Sequence, residues 1–201
     1  NGIDQTLFKP LDKTTARKAF NLPPDKKLIL FGAFGGTSDP RKGFNYLAET
    51  LKLLSQRETS GIELVTLGAS QPQDLDTAFP LHQIMWLNDT VSMALLYSAM
   101  DVVVVPSMQE AFGQMASEAF ACGVPVVAFG ATGLLDIVDH QVNGYLAQPY
   151  LPDDLANGIQ WVLEDEERHH QLSQQAHQKA VKAFDIRQIA EQYHALYQEL
   201  T

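Results

Sequence analysis

Cysteine is nearly absent: the 201 residues hold one, Cys122. A single thiol excludes a disulfide within the chain and a cysteine-based zinc site, and the count suits a reducing compartment. Long apolar runs are missing; none approaches the roughly 20 residues that cross a bilayer. No stretch has the basic, apolar and small-residue order of a secretory signal. Positive charge is also short, with 14 Lys and Arg against 24 Asp and Glu and a formal net charge of −10. A field of that sign repels phosphate chains, so general nucleic-acid binding is disfavoured. Two phosphate-binding glycine patterns are lacking as well. Without Gly-x-Gly-x-x-Gly a nicotinamide-dependent oxidoreductase has little support, and without Gly-x-x-x-x-Gly-Lys-Ser/Thr there is no phosphate loop of the nucleotide-hydrolase kind.

What is present suffices for a core: 45% of the residues are hydrophobic and 19% charged, enough for one full-sized globular domain. Short runs rich in Val, Ile and Leu recur at Lys27–Phe31, Ile62–Leu67, Ile84–Leu87, Val102–Val105 and Val124–Phe129, with a weaker one at Gly144–Ala147. Each reads as a strand. Between them apolar residues fall three and four apart, as at Phe44, Leu47, Leu51 and Leu54 or Val91, Leu95 and Leu96, which is the helical period. Strands that are apolar at nearly every position are buried on both faces, and crossover helices supply that cover. The expected fold is therefore α/β, a three-layer, doubly wound, Rossmann-like parallel sheet. After Tyr145 the spacing predicts helices at Pro152–Glu164, Glu167–Phe184 and Ile186–Leu200, a helical C-terminal tail over about 152–201 within a single domain of residues 1–201. The acidic cluster Glu164 to Glu167 suits the solvated start of a helix. Residue 1 is Asn, and Asn1-Gly2-Ile3-Asp4 reads as a turn inside a longer protein.

In an open parallel sheet, ligands bind beyond the carboxyl ends of the strands where strand order reverses, so the loops that follow strands come first. The loop after the first strand runs from Gly32 to Gly43 and carries Gly35, Gly36, Arg41 and Lys42. Glycines let backbone N–H groups approach a phosphate, and Arg41 or Lys42 can add charge-assisted hydrogen bonds. A surface loop with solvated cations would look the same. The loop after the fourth strand holds Glu110, and seven residues separate it from Glu118 on a helix expected to start near Gly113. Both carboxylates can then face one crevice while the first N–H groups of the helix point there too. That pairing suits a diphosphate flanked by sugars, the amides meeting phosphate and the carboxylates accepting from hydroxyls. The ordinary alternative is that Glu110 caps the helix and Glu118 is a solvated turn of it.

Pro106-Ser107, Glu110, Phe112-Gly113, Glu118-Ala119, Ala121-Cys122-Gly123 and Pro125-Val126-Val127 resemble the C-terminal, donor-binding domain of GT-B fold retaining glycosyltransferases of group 1. The resemblance extends to Asn1–Asp4 with Phe8 and Pro10, to Lys42-Gly43, to Asn143-Gly144-Tyr145 and to the closing helices. It implies one half of a two-domain enzyme that takes a hexose from a nucleoside-diphosphate sugar to a saccharide or lipid-linked acceptor in polysaccharide assembly. By this likeness Lys42 neutralises the diphosphate and Glu110 stands near the donor sugar. The backbone of Phe112, Gly113, Gln114 and Met115 meets sugar and phosphate, and Glu118 binds the ribose hydroxyls. Glu110 and Lys42 would carry the catalysis, with Gly35, Gly36 and Arg41 as further donor contacts. No metal is expected, and the nucleotide sugar is a substrate, not a cofactor. The acceptor would be met through an N-terminal domain missing from this chain, which alone would turn over little or nothing. The expected setting is cytoplasmic, with peripheral contact at the inner membrane face in the full-length protein.

This sequence departs from the family pattern twice. Ala33 stands where an arginine is usual, so a second cation would have to come from Arg41 or elsewhere, and Thr132-Gly133-Leu134-Leu135-Asp136 replaces Gly-Gly-x-x-Glu. Asp74-Leu75-Asp76 has the form of a manganese motif of differently folded transferases, but lies in a polar Gln-rich stretch without their context. His169, His170 and His177 default to solvated helix positions, Met108 and Met115 to gap fillers, and Cys122 to a buried small apolar residue. Trp86 reads equally as core or as a surface beside the base. A sugar-nucleotide epimerase stays open and would release an epimerised sugar without an acceptor. A non-catalytic nucleotide-binding module also stays open and would show no preference for the sugar over free nucleoside diphosphate.

Overall fold

The computed structural model describes residues 1–32, 39–57, 59–68 and 77–199. Six strands form one sheet: β1 (Lys27–Gly32), β2 (Ile62–Leu67), β3 (Leu81–Ile84), β4 (Val102–Val105), β5 (Val126–Phe129) and β6 (Gly144–Ala147). All neighbours pair in parallel, in the order β3-β2-β1-β4-β5-β6. The chain winds outward one way from β1 and then the other way from β4. The β1/β4 seam is thus where strand order reverses, the place at which open α/β sheets bind ligands.

Alternation along the strands sorts the core into two layers. Leu28, Leu30, Val65, Leu67, Val103, Val105, Val126 and Ala128 face one side. There they meet α1 (Lys13–Ala19), α3 (Thr90–Ala99), α4 (Gln114–Ala121) and α7 (Glu166–Ala183), through residues such as Ala16, Leu96, Tyr97, Phe120 and Ala176. Ile29, Phe31, Leu64, Val102, Val104, Val127 and Phe129 face the other. They are covered by α2 (Phe44–Ser55) and α6 (Pro152–Leu163) through Leu47, Leu51, Leu54, Leu155 and Ile159. The three-layer doubly wound sheet expected from the apolar runs is the observed fold.

One strand sits elsewhere than the sequence predicts. β3 is Leu81–Ile84, not 84–87. It is an edge strand paired only with β2, in a register that ends at Leu67 with Ile84. The apolar residues that suggested a strand have already left the sheet, with Met85 54% and Trp86 58% exposed; Trp86 is therefore not core. β5 begins at Val126, since Pro125 before it has no N–H to give a ladder.

The helices after β6 differ in how they are held. α6 packs on α2 and on β5 and β6, α7 runs back against α4, and α8 (Ile186–Glu199) buries none of its residues. The N-terminal segment clamps the α7–α8 junction: the Ile3 amide donates to the Phe184 carbonyl at 2.6 Å and the Ile186 amide to the Ile3 carbonyl at 3.0 Å. At the opposite end of the sheet from the crevice, Asp101 gathers Lys13, the buried Arg17 and the Leu28 amide at 2.5, 2.7 and 2.6 Å. Among the described residues no helix is long and apolar enough to cross a membrane.

Candidate functional site

At the β1/β4 seam the structure opens a cavity of about 390 Å³, within the range of small-molecule sites. Gly32, Leu67, Leu87, Met93, Val105 and Met115 give it an apolar part, and Lys42, Ser107, Glu110, Gln114, Glu118 and Tyr97 a polar one. Its walls come from the ends of β1, β2 and β4 and from α3 and α4. Residues far apart in sequence meet here because the fold reverses its winding at this seam.

Lys42 reaches the cavity through a local device. Asp39 caps a single 3-10 turn, Pro40–Lys42, which Gly43 ends in the left-handed region at φ 71°. Gly43 lies so close to the Pro106 carbonyl that a Cβ there would overlap it. The Met108 amide donates to the Arg41 carbonyl at 2.7 Å and ties the two loops together. Lys42 Nζ then lies 2.7 Å from Glu110 Oε1, and Ser107 Oγ donates to the same oxygen at 2.8 Å. The backbone of Glu110 is pinned by the loop after β5: its amide donates to Thr132 Oγ1 at 2.9 Å, and its carbonyl accepts from the Gly133 amide at 3.0 Å.

The start of α4 forms another side of the polar region. Gly113, at φ 91°, is its N-cap and supplies no side chain, so the N–H groups of the first turn are not capped from within. The fifth residue of the helix is Glu118, only 9% exposed. Tyr97 donates its hydroxyl to Glu118 Oε2 and Gln114 its amide to Glu118 Oε1, each at 2.9 Å. Burial raises the Glu118 carboxyl above its ordinary value, while the Gln114 and Tyr97 bonds pull it back. Burial also lifts the Tyr97 phenol well above its usual value, with the Glu118 charge adding to the effect, so Tyr97 is a donor throughout the working range.

Of the residues singled out from the sequence, the structure brings Lys42, Glu110, Gln114, Met115 and Glu118 to one cavity. The Met115 side chain lines it and touches Gly32, where a Cβ would lie 2.8 Å from Met115 Cε. Arg41 is not brought there. A 3-10 turn sends successive side chains in different directions, and the Arg41 side chain, 69% exposed, binds both oxygens of Asp39 outside the cavity. Phe112 and Gly113 do not line the cavity either; the Phe112 ring packs edge-on to Phe184 at 5.7 Å. Gly35 and Gly36, like Asp74 and Asp76, lie outside the described residues.

Tyr97, Ser107, Leu87 and Met93 line the cavity although sequence reasoning missed them as site residues. Ser107 is the second residue after the fourth strand and could have been found there; Tyr97 and Met93 carry only a helical period. The histidines are less solvated than expected: His169 and His177 pair with the backbone carbonyls of Asp101 and Ala121 at 2.7 and 2.9 Å. Cys122 is buried and its thiol is pushed up to about 12 by that burial, so it is an apolar filler. Among the described residues no cluster of three or more His, Cys, Asp or Glu side chains is placed to hold a metal ion.

Fold and site together define a Rossmann-like domain of the GT-B glycosyltransferase class. Residues 12–179 match the family model described as glycosyl transferases group 1. The chain belongs to that family. An uncharacterized glycosyltransferase of Methanocaldococcus jannaschii is 35% identical over 163 residues, which is 77% of this chain and 40% of that protein. Sucrose-phosphate synthase from Thermosynechococcus elongatus superposes with a TM-score of 0.84 at 31% identity, over 99% of this chain and 51% of that one. The Anabaena HepE protein in complex with UDP-glucose gives 0.79 at 25% identity, over 99% and 56%. The chain thus spans about half the length of the solved chains, and less of the curated relative.

Proposed function

We propose that the cavity at the β1/β4 seam holds a nucleoside-diphosphate sugar. The chain then acts as the donor-binding domain of a retaining glycosyltransferase, which passes a hexose to a saccharide or lipid-linked acceptor in polysaccharide assembly. The observation that carries this reading is the arrangement of charge in one cavity. A cation and a carboxylate, Lys42 and Glu110, share it with a second carboxylate, Glu118, and the uncapped start of α4 adjoins them. Amides and Lys42 meet phosphate oxygens; Glu118 accepts from ribose hydroxyls; Glu110 stands toward the sugar. The apolar part, with Leu67, Leu87 and Met93, accommodates the base. The match to a structure holding UDP-glucose supports this class of donor.

In such a reaction the diphosphate leaves as the anomeric carbon gains positive character, and the protein's main contribution is to stabilise the departing charge. Lys42 is poised for this, since the Glu110 carboxylate that now holds it can hand it to an incoming phosphate. No metal ion is needed where a protein cation and helix amides take that charge. The acceptor and the remaining machinery would stand on an N-terminal domain facing the crevice, so the present chain alone binds donor and transfers little or nothing. The exposed Ile186, Tyr193 and Leu196 of α8 give that domain an apolar surface to cover. The reaction would run in the cytoplasm, the full-length protein touching the inner membrane face.

Thermal shift against uridine, guanosine and adenosine diphosphate sugars tests the reading, because a ligand that binds only the folded state raises the melting temperature by mass action. One base series is expected to shift the transition, and the intact nucleotide sugar more than the free diphosphate. No shift with any of them at millimolar concentration contradicts it.

A further inference from the structure

The Glu118 carboxylate has about four acceptor sites, two per oxygen, and the protein fills one on each. The Tyr97 donor approaches from the core, where Tyr97 is 1% exposed. Gln114 donates from the exposed first residue of α4. Both donors line the same cavity as the carboxylate. We propose that Tyr97 and Gln114 are positioning residues which hold the Glu118 carboxylate in one orientation and leave it one acceptor site per oxygen, the pattern that grips two adjacent hydroxyls. On this account they set the preference for a vicinal diol over a single hydroxyl, and hence for ribo- over 2′-deoxyribonucleotides. Two fixed donors also favour the charged form of this buried carboxylate, pulling against the upward shift that burial causes.

The other ionisable groups near Glu118 are few among the described residues. Tyr97 faces it from α3, and Cys122 lies beyond the end of α4 with its thiol pushed up to about 12. Lys42 and Glu110 face the shared cavity as an ion pair. Glu110 offsets the Lys42 charge as its ion partner, so the two donors dominate the setting of Glu118.

Tyr97→Phe removes the hydroxyl and leaves the ring, which packs against Phe8 with centroids 6.3 Å apart. Gln114→Ala removes the second donor from an exposed position and does not disturb the core. Two readouts apply. In the ligand-free protein, carbon-detected NMR follows the titration of the Glu118 carboxyl; each variant is expected to move its midpoint upward. In binding titrations with UDP, GDP or ADP and the matching 2′-deoxy forms, each variant is expected to lose about tenfold of the ribo preference, equivalent to ~1.4 kcal/mol. Glu118→Gln should make Tyr97→Phe nearly silent in the same binding assay, because the charge being positioned is gone. An unchanged Glu118 midpoint in both variants, or an unchanged ribo preference, overturns the inference. If Tyr97→Phe does not fold, Gln114→Ala decides. The diol preference rests on the donor-binding reading, whereas the titration does not. Wild-type protein that binds none of the nucleotides therefore defeats that reading and the diol claim, and the midpoint still decides the positioning claim.

Discussion

Replacing Gly43 by Ala tests whether the close meeting of the two crevice loops is what delivers Lys42. Gly43 holds φ at +71°, and a Cβ there would overlap the Pro106 carbonyl oxygen and lie 2.7 Å from its carbon, against about 3.5 Å for an ordinary carbon contact. The left-handed conformation costs an alanine about 1–2 kcal/mol. Forcing extra bulk into a packed site costs about 1–3 more. The sum, about 2–5 kcal/mol, less about 0.4–1 returned through the unfolded chain, leaves about 1–4.6 kcal/mol and corresponds to roughly 2–18 °C in Tm for a domain of this size. Gly61 is the matched control: its φ is +76° with nothing within 4 Å of a Cβ. Gly61→Ala therefore carries the conformational cost alone with the same return, a net of about 0–1.6 kcal/mol, and should lower Tm by no more than about 6 °C. Melting both variants beside wild type under one set of conditions separates the two contributions. Because the clash pushes the 3-10 turn from Pro106, Gly43→Ala should also weaken nucleotide binding, while Gly61→Ala should not. Equal Tm losses, or intact binding in Gly43→Ala, would refute the reasoning.

Further expectations concern the polar residues of the cavity. Lys42→Ala should weaken donor binding roughly ten- to hundredfold, the loss of one charged hydrogen bond, and unchanged affinity by calorimetry counts against its role. Glu118→Gln should weaken nucleotide binding yet leave Tm at pH 7 equal or higher, because burial penalises the native carboxylate; a parallel fall in Tm would make the residue structural. The sign with pH follows from the same raised value. Between the unfolded and folded carboxyl values the folded state holds more protons, so this group's contribution to stability falls as pH rises through that window. Donor affinity, which needs the carboxylate, falls as pH drops through the raised folded value. Thiol labelling of Cys122 should be slow in the folded protein and fast in denaturant, since the sulfur is buried. Robust hexosyl transfer by this chain alone, measured with acceptor saccharides, would contradict the need for a second domain.

The parts of this molecule that follow local patterns were legible. Val102–Val105, apolar at every position, could only be an interior strand, and the helical spacing of Phe44, Leu47, Leu51 and Leu54 matched the face α2 buries. The edge strand was misplaced because its own residues, Leu81 to Ile84, are half exposed and weakly patterned. The apolar run beyond them, by contrast, lies off the sheet. At the site, Lys42, Glu110 and Glu118 are expected from the family resemblance, and the structure sets all three around one cavity, a grouping that loop and helix spacing alone leave open. Tyr97 was not legible, because a residue packed into the core on most sides has the same periodicity whether or not its hydroxyl holds a carboxylate. The outward turn of the Arg41 side chain follows from the 3-10 turn, whose geometry no spacing rule conveys.

The most direct measurement is a crystal structure of the chain with the nucleotide sugar that most raises its Tm. The account predicts the diphosphate against the first-turn amides of α4 with Lys42 Nζ turned to a phosphate oxygen, and the ribose hydroxyls on Glu118. Ligand bound elsewhere, with Lys42 still on Glu110 and the seam cavity empty at saturation, would contradict it.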